Sequence, residues 1–205
     1  MITDKSCGEF LDALASGSVV PGGGGASALC GALGAALGSM VCNLTLGKKK
    51  YADVQEDIAA IIEKTEKLRG DLAALVQADA EVFEPLSKAY GMPKDAPGRD
   101  EVMEKCLRDA CDVPCRIMRK ACEAIELHEE LAVKSSRIAV SDVGVGAAFC
   151  RAALVGASLN VFINTRLMKD RAYAGRVNAL ADSMLAEWVG RADRAFDAVA
   201  GGLRG

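Results

Sequence analysis

Apolar residues along this chain recur with the three- and four-residue spacing of amphipathic helices. The longest such pattern covers residues 52–90 and keeps its apolar positions on one face, which predicts a single long helix. We expect a kink at Pro85, because proline cannot supply the amide hydrogen that an interior helical turn uses. The same spacing predicts three more amphipathic helices, over 3–15, over 100–130 with a bend at Pro114, and over 171–200.

Two other stretches combine low charge with many small residues. No charged residue occurs from position 13 to position 47. Within this stretch the sequence PGGGG predicts a loop over 16–25, and residues 26–46 predict an uncharged helix in which glycines alternate with leucines. Such a helix is typical of a central, closely packed position or of a subunit interface. Residues 135–170 are also predicted to be mostly helical, with an interruption at 141–144.

Together these elements predict an all-α fold, a single-domain bundle of about six or seven helices formed by residues 1–205. A chain of this length can bury one self-sufficient hydrophobic core. The uncharged stretch is long enough to cross a bilayer, but its glycines and the PGGGG break favour a buried helix. We therefore expect no membrane association. The segment GMPKDAPG at 91–98 is expected to be a loop.

Composition and charge narrow the classes of function. The formal charge is −3 and the pI is near 5.3, so no basic excess is available for a nucleic-acid backbone. The first ten residues lack the basic and apolar segments of a secretion signal. We therefore interpret the protein as cytoplasmic and its eight cysteines as reduced thiols. With no CxxC pair and one histidine, the sequence predicts no metal site. We also expect no cofactor.

Asp79 is the most informative position for chemistry. Its neighbours at helical spacings of three, four and seven residues are all apolar: Leu72, Leu75, Val76, Val82, Phe83 and Leu86. The aspartate therefore lies on the face predicted to be buried, where a carboxyl either finds a partner or has a raised pKa. A raised pKa suits a carboxyl to general acid or base catalysis. A structural aspartate that bonds to a neighbouring helix fits the same pattern equally well.

Four other polar residues lie in apolar surroundings, and each pair has two interpretations. Asn160 and Asn164 are one turn apart, so their amides can bind a flat heterocycle or tie two helices together. Ser141 and Asp142 are either an N-terminal cap for the following helix or part of a site. The residues alone leave both alternatives open.

A glycine run and a lysine run flank the uncharged helix. Gly22 to Gly25 either expose backbone amides to a ligand or form a flexible connection. Lys48, Lys49 and Lys50 either attract an anionic ligand tail or satisfy the preference of a helix C terminus for cations. The GxxxxGK[ST] and strand-linked GxGxxG phosphate-binding motifs are both missing.

His128 is the only candidate base for a nucleophilic triad. It lies in the acidic sequence ELHEE, which we interpret as a solvent-exposed helix surface. The sequence therefore disfavours a Ser-His-Asp or Cys-His hydrolase.

Three long segments resemble the cyclodeaminase/cyclohydrolase family. They are PGGGGASALCGALGAALGSMVCNLTLGKKKY, QADAEVFEPLSKAYGMPKD and SDVGVGAAFCRAALVGASLNVFINTRLMKD. The resemblance extends in order over nearly the whole chain. The family includes the cyclodeaminase half of formiminotransferase-cyclodeaminase and the stand-alone bacterial methenyltetrahydrofolate cyclohydrolases.

The resemblance implies an all-helical homodimer with a folate site near the subunit interface. It also implies that the aspartate of the DAE sequence, Asp79, is the proton donor, and that the glycine run and the segments around Asp142, Asn160 and Asn164 line the site. Together with the residue patterns, it gives the expected set of substrate-binding residues: Gly22, Gly23, Gly24, Gly25, Ser27, Lys48, Lys49, Lys50, Asp142, Asn160 and Asn164.

Two reactions of the family fit one buried carboxyl. A cyclohydrolase adds water to the methenyl carbon of tetrahydrofolate and opens the adduct to the 10-formyl compound, whereas a cyclodeaminase closes a formimino group onto N10 and releases ammonia. We expect the cyclohydrolase, because no formiminotransferase domain is recognisable in these residues and because NLTLGKKKYADV, LHEELA and SDVGVG are more similar to the stand-alone enzymes. The cyclodeaminase is the alternative, and a non-enzymatic helical dimerisation or binding module is a third hypothesis.

Overall fold

The computed structural model describes residues 1–204. These residues form six α-helices and three short 3-10 segments and contain no β-strand, which confirms the predicted all-α bundle. The α-helices are α1 (Cys7–Ala15), α2 (Gly23–Asn43), α3 (Gln55–Tyr90), α4 (Arg99–Lys134), α5 (Val140–Leu167) and α6 (Arg171–Arg204). The 3-10 segments are Ile2–Asp4, Lys49–Val54 and Arg137–Ala139.

Helix α1 begins with a capping box. The Ser6 hydroxyl accepts a hydrogen bond from the Glu9 amide at 3.2 Å, and the Glu9 carboxylate accepts one from the Ser6 amide at 2.8 Å. This reciprocal pair satisfies two amides that a helix start leaves free. It fixes the start of α1 at Cys7, later than the predicted start at Thr3.

Helices α2 and α5 occupy the centre of the bundle and run antiparallel. A Cβ atom added to Gly31 would lie 3.3 Å from the Cβ atom of Ala153, and one added to Gly34 would lie 2.5 Å from the Cys150 sulfur. The two backbones therefore approach closely through their small residues. Helix α2 also packs on α3 and α4, and α5 also packs on α4 and α6. This confirms that α2 is a central, closely packed helix.

The chain does not break at 141–144 as predicted. Its break lies earlier, at Ser135 and the following 3-10 segment, and α5 continues from Val140 through the predicted interruption. Gly144 lies within this helix, and its lack of a side chain lets α5 approach α6 closely, since an added Cβ would lie 3.1 Å from Val199. Ala139 is the N-cap residue of α5. Ser141 and Asp142 therefore lie in the first turn, and their interpretation as a cap is wrong.

His128 is buried, which contradicts the prediction of an exposed position. Helix α4 turns its 124, 128 and 131 positions inward, and the His128 side chain has no exposed surface. Its Nδ1 lies 2.8 Å from the Ala124 carbonyl oxygen, and Nε2 faces the backbone of Gly146. Burial lowers the pKa of this imidazole, while the contact with the Ala124 carbonyl opposes that change.

Pro85 and Pro114 both lie within continuous helices, α3 and α4. All eight cysteines are free thiols, and Cys7 and Cys30 are the two that are not buried. The buried apolar side chains form one continuous cluster.

By length and composition, α2 and the stretch 137–167 are each apolar enough to cross a membrane. Their most apolar 18-residue windows have mean hydropathies of 1.6 and 1.7, and 61% and 44% of these windows is buried inside the bundle. Core helices of globular bundles have the same composition, so the pattern alone is weak support for a span. The remaining surface of the two helices, called here the α2–α5 face, exposes a set of large apolar side chains: Leu33, Met40, Leu44, Val145, Leu159, Ile163 and Leu167.

Candidate active site

Asp79 lies half-buried on α3, opposite the N terminus of α2. Its Oδ2 atom accepts a hydrogen bond of 2.8 Å from the Gly25 amide. Leu75, Val76 and Leu86, on the same face of α3, are buried, so the predicted apolar surroundings of this carboxyl are present. The third residue of α2 is thus held by a carboxylate from another helix, since the N-cap residue Gly22 has no side chain to do so.

Gly24 explains why the helix begins inside the glycine run. A Cβ atom at this position would lie 2.1 Å from Asp79 Oδ1, so any residue other than glycine would force the carboxylate to move. The prediction of a loop over 16–25 is therefore wrong for its last three residues, which form the first turn of α2. Their low helix propensity is outweighed by this contact and by the packing of α2, so the glycines bring a helix terminus directly onto the carboxylate.

The electrostatic setting of Asp79 combines two opposing influences. Burial raises the pKa of its carboxyl, and the hydrogen bond from the Gly25 amide lowers it. No ion pair with a lysine or arginine of residues 1–204 offsets the burial. The Gly25 amide, which lies in the positive first turn of α2, is the group that stabilises the ionised form. The carboxyl therefore binds a proton at a higher pH than an ordinary aspartate does, which suits it to proton transfer.

Asn160 of α5 also lies beside the first turn of α2, near Asp79. A Cβ atom on Gly23 would lie 3.6 Å from the Asn160 amide group. The Ser27 hydroxyl donates to the Gly23 carbonyl oxygen at 2.7 Å, and Gly156 leaves room for that hydroxyl, because a Cβ atom there would be 2.6 Å from it. The predicted glycine run, Ser27, Asp79 and Asn160 thus converge in one place.

Asn164 has structural contacts. Its Nδ2 donates to the Ala110 carbonyl oxygen on α4 at 3.1 Å and to the Asn160 carbonyl oxygen at 2.9 Å. The side chain is only 9% exposed. These bonds favour the interpretation in which Asn164 ties α5 to α4, and its role in binding substrate stays a prediction.

The remaining predicted residues lie at the other end of the bundle. Lys48, Lys49 and Lys50 follow the C terminus of α2, and Asp142 is in the first turn of the antiparallel α5. The 21 residues of α2 extend roughly 30 Å, so this end cannot reach Asp79 within one chain. The Lys48 ammonium donates to the Ser136 hydroxyl at 3.0 Å, and Lys49 and Lys50 are exposed.

Two residues at the site were not predicted. Pro21 packs beside Gly25, at 3.6 Å from the position of an added Cβ, and Gly156 accommodates Ser27. The signal for Gly156 was its small-residue spacing with Ala153 on α5, which indicates close packing without naming the partner.

Residues 6–183 match the protein family described as Formiminotransferase-cyclodeaminase. The chain belongs to this family. This confirms the resemblance found in the sequence. A methenyltetrahydrofolate cyclohydrolase of Methylorubrum extorquens is 40% identical over 203 residues, which are 97% of this chain and 98% of that protein.

Longer members of the family contain this chain's equivalent as one part. The formimidoyltransferase-cyclodeaminase of Gallus gallus is 30% identical over 190 residues, which are 91% of this chain but 35% of that protein. The fold is also that of a solved family member, a formiminotetrahydrofolate cyclodeaminase from Thermotoga maritima. That structure has a TM-score of 0.90 and 29% identity, and the match covers 99% of this chain and 100% of that one.

Proposed function

We propose that this family member hydrolyses 5,10-methenyltetrahydrofolate to 10-formyltetrahydrofolate, with Asp79 as the proton-transfer group. The observation that carries the choice of reaction is the 40% identity to a cyclohydrolase along the whole length of both chains. The contact between Asp79 and the start of α2 supports the choice of residue, because it places a carboxyl of raised pKa beside unobstructed backbone.

Asp79 serves both halves of this reaction. As a carboxylate it takes one proton from the water that attacks the cationic methenyl carbon, which gives a neutral hydroxyl adduct. As a carboxylic acid it returns that proton to N5 while the bond between this carbon and N5 breaks. The hydroxyl proton leaves to solvent as the formyl carbonyl forms, so atoms and charge balance. The raised pKa of Asp79 suits a group that alternates between these forms.

The first turn of α2 supplies the second component of the proposed active site, a set of free backbone amides. Amides at the start of a helix have no partner within the helix, and here the Gly25 amide holds Asp79 while those of Gly23 and Gly24 remain for a ligand. Glycine side chains leave the backbone unobstructed. These amides are suited to stabilise the oxygen that forms on the attacked carbon. Asn160 beside Gly23 is suited to orient the pterin ring through its amide.

The cyclodeaminase reaction is the second candidate. It is favoured by the match to the Thermotoga maritima structure, which is a formiminotetrahydrofolate cyclodeaminase. The same carboxyl would protonate the departing ammonia instead of N5. Asp79 serves either route, and the higher identity to the cyclohydrolase is the reason for our order of preference.

We also propose that a second copy of the chain covers the α2–α5 face. Leu159, at 66% exposed, and Ile163, at 54%, are large apolar side chains without a neighbour to cover them, and α2 carries no charge. If a two-fold axis crosses α2 at right angles, the lysine end of one α2 lies beside the glycine end of the other. This arrangement would unite the two separated groups of predicted ligand residues in one composite site.

We propose further that this homodimer is cytoplasmic. Because the chain has a formal charge of −3, we also propose that it binds neither nucleic acid nor an anionic membrane.

The test incubates the purified protein separately with methenyltetrahydrofolate and formiminotetrahydrofolate. We expect faster loss of the methenyl chromophore than in a protein-free control, without ammonia release from the formimino compound. Ammonia release with gain of the chromophore would identify a cyclodeaminase. If neither compound reacts faster than in the protein-free control, the result would contradict an enzymatic role and favour the binding module.

A further inference from the structure

Pro114 interrupts the hydrogen bonding of α4 at one defined carbonyl group. It lies in the interior of this helix, and proline has no amide hydrogen to donate to the carbonyl oxygen four residues earlier. That oxygen belongs to Ala110, which is only 5% exposed. A buried carbonyl without a donor lowers stability, because its hydrogen bonds to water are lost and not replaced. The Ala110 carbonyl oxygen therefore needs a donor from outside the α4 backbone.

Asn164 supplies this donor from α5. Its Nδ2 atom donates to the Ala110 carbonyl oxygen at 3.1 Å and to the Asn160 carbonyl oxygen at 2.9 Å. The amide nitrogen has two hydrogens, and these two bonds use both. Because both neighbours are backbone carbonyl oxygens, which only accept, this end of the side chain is the nitrogen and the other end is the oxygen. Two bonds to backbone atoms thus fix the orientation of the Asn164 side chain.

The Asn164 side-chain oxygen is left without a donor. No group among residues 1–204 donates to Oδ1, and this atom is not one of their side-chain atoms that lack a partner and are sealed from solvent. The oxygen therefore remains accessible, although the residue as a whole is only 9% exposed. A fixed and accessible acceptor on a nearly buried side chain is suited to bind a hydrogen-bond donor of a ligand.

Asn164 lies beside the proposed active site. Asn160, one turn earlier on the same face of α5, is next to Gly23, whose added Cβ would lie 3.6 Å from the Asn160 amide group. One helical turn advances roughly 5.4 Å, a distance that a fused bicyclic ring can span. Because α5 runs antiparallel to α2, Asn164 lies beyond the first residue of α2. The free amides of that first turn point in this direction.

The proposed substrate carries donors that match this oxygen. The pterin ring of a tetrahydrofolate has N–H groups at N3, at N8 and on its 2-amino group. The free amides at the start of α2 can only donate, so they cannot bind these groups. The Asn164 oxygen is a neutral acceptor, and it can bind an N–H group of the ring without removing its proton.

We propose that Pro114 is a positioning residue of the folate site that acts through Asn164. By leaving the Ala110 carbonyl free, the proline fixes Asn164 so that its Oδ1 atom accepts a hydrogen bond from an N–H group of the pterin ring. This inference rests on the proposed function, because it requires a tetrahydrofolate as ligand. It holds for either reaction, since both substrates carry the same ring. In the competing interpretation, Asn164 serves only as a structural donor to α4.

A pair of variants separates the structural use of Asn164 from its use in binding. Asn164→Leu alone leaves the Ala110 carbonyl without a donor, so we expect a melting temperature about 5 °C lower. In Pro114→Ala the new amide hydrogen can bond this carbonyl within α4. In that background Asn164→Leu should lower the melting temperature by less than half as much. Equal losses in both backgrounds would contradict the link between Pro114 and Asn164.

The affinity for tetrahydrofolate, measured anaerobically by isothermal titration calorimetry, tests the contact with the ring. In the Pro114→Ala background, where the fold no longer depends on Asn164, we expect Asn164→Leu to weaken binding about tenfold. An unchanged dissociation constant would overturn the contact. Pro114→Ala alone should weaken binding about threefold, because Asn164 is held less firmly, and should keep kcat within about twofold. Unchanged affinity in this variant would overturn the positioning role of Pro114.

Asn178→Leu is the matched control. Asn178 on α6 accepts a hydrogen bond of 2.7 Å from the Thr165 hydroxyl, so this variant also removes an asparagine bond between two helices. We expect a lower melting temperature and a dissociation constant within about twofold of the original protein. A tenfold loss of affinity here would overturn the proposal. If the original protein binds no tetrahydrofolate, the proposed function fails as well, whereas equal binding by the original protein and the Asn164 variants contradicts this inference alone.

Discussion

At the scale of single residues, two influences act in opposite directions on the pKa of Asp79. Burial raises the pKa, and the hydrogen bond from the Gly25 amide lowers it. Because its pKa is raised by burial, the folded protein keeps a proton over a pH range in which the unfolded chain, with a pKa near 3.8, has lost it. The contribution of Asp79 to the free energy of unfolding therefore falls as the pH rises from the unfolded pKa through the folded pKa.

Asp79→Asn tests this sign. The asparagine oxygen can still accept from the Gly25 amide, while the buried charge is gone, so we expect the free energy of unfolding at pH 7 to equal or exceed that of the original protein. The difference should narrow as the pH falls toward about 4. Urea denaturation at several pH values provides the measurement. Asp182→Asn, an exposed aspartate on α6, is the control, and a marked loss of stability in Asp79→Asn alone would support a structural role.

Gly24→Ala tests the close approach of α2 to this carboxyl. The added methyl would displace Asp79, so we expect a loss of about 1–3 kcal/mol in stability and about a hundredfold in turnover. Gly70→Ala is the matched control in α3, because nothing lies within 4 Å of its added Cβ. It should stabilise the protein by about 0.5–1 kcal/mol with unchanged turnover. Similar behaviour of the two variants would contradict the contact.

At the scale of elements, His128 and Gly146 fix the crossing of α4 and α5. A Cβ atom at Gly146 would lie 2.0 Å from His128 Nε2, and the rigid imidazole cannot move aside. We expect Gly146→Ala to cost about 3 kcal/mol. In the His128→Ala background, the methyl enters vacated space and the same change should cost much less. Additive costs in chemical denaturation would contradict direct contact.

The buried imidazole also makes stability depend on pH. Its pKa is lowered in the folded protein by burial, so the unfolded chain binds a proton at a higher pH than the folded protein does. Stability should therefore decline as the pH falls below about 6.5. His128→Gln should remove that part of the decline, and an unchanged pH profile of the free energy of unfolding would contradict a neutral, buried His128.

These elements show what local sequence can and cannot predict. Asp79 was found because its apolar neighbours repeat with the helical period, which is a local property. The start of α2 at Gly23 was missed, because glycine propensity predicts a loop and the contact with Asp79 comes from 54 residues away. His128 was placed at the surface for the same reason. Its glutamate neighbours are local, whereas Gly146, which makes room for it, belongs to another helix.

At the scale of the whole molecule, the predicted ligand residues occupy both ends of the bundle. The sequence grouped Lys48 to Lys50 with the glycine run because both flank α2, although a helix of this length already separates its two ends by roughly 30 Å. In the dimer that we propose through the α2–α5 face, the lysine run of one copy would lie beside the glycine run of the other. Small-residue spacing predicted that α2 is a central helix or lies at a subunit interface, but the exposed apolar side chains of this face are evident only in the folded chain.

Leu159→Glu tests that face. A buried charge without a partner would oppose association, so we expect a monomer by size-exclusion chromatography with light scattering, and a loss of turnover if the site is composite. Val102→Glu is the control, since Val102 is 42% exposed on α4, away from the face. It should remain dimeric. A monomeric parent protein, or equal masses for all three proteins, would contradict the proposed interface.

The most direct test of the central claim compares turnover of methenyltetrahydrofolate by the original protein and by Asp79→Asn, after subtraction of spontaneous hydrolysis. The asparagine variant keeps the shape of the site but can no longer take up and release a proton. The account predicts a fall in kcat of about 10²–10⁴-fold in a protein that is at least as stable as the original at pH 7. Unchanged turnover in the folded variant would contradict it.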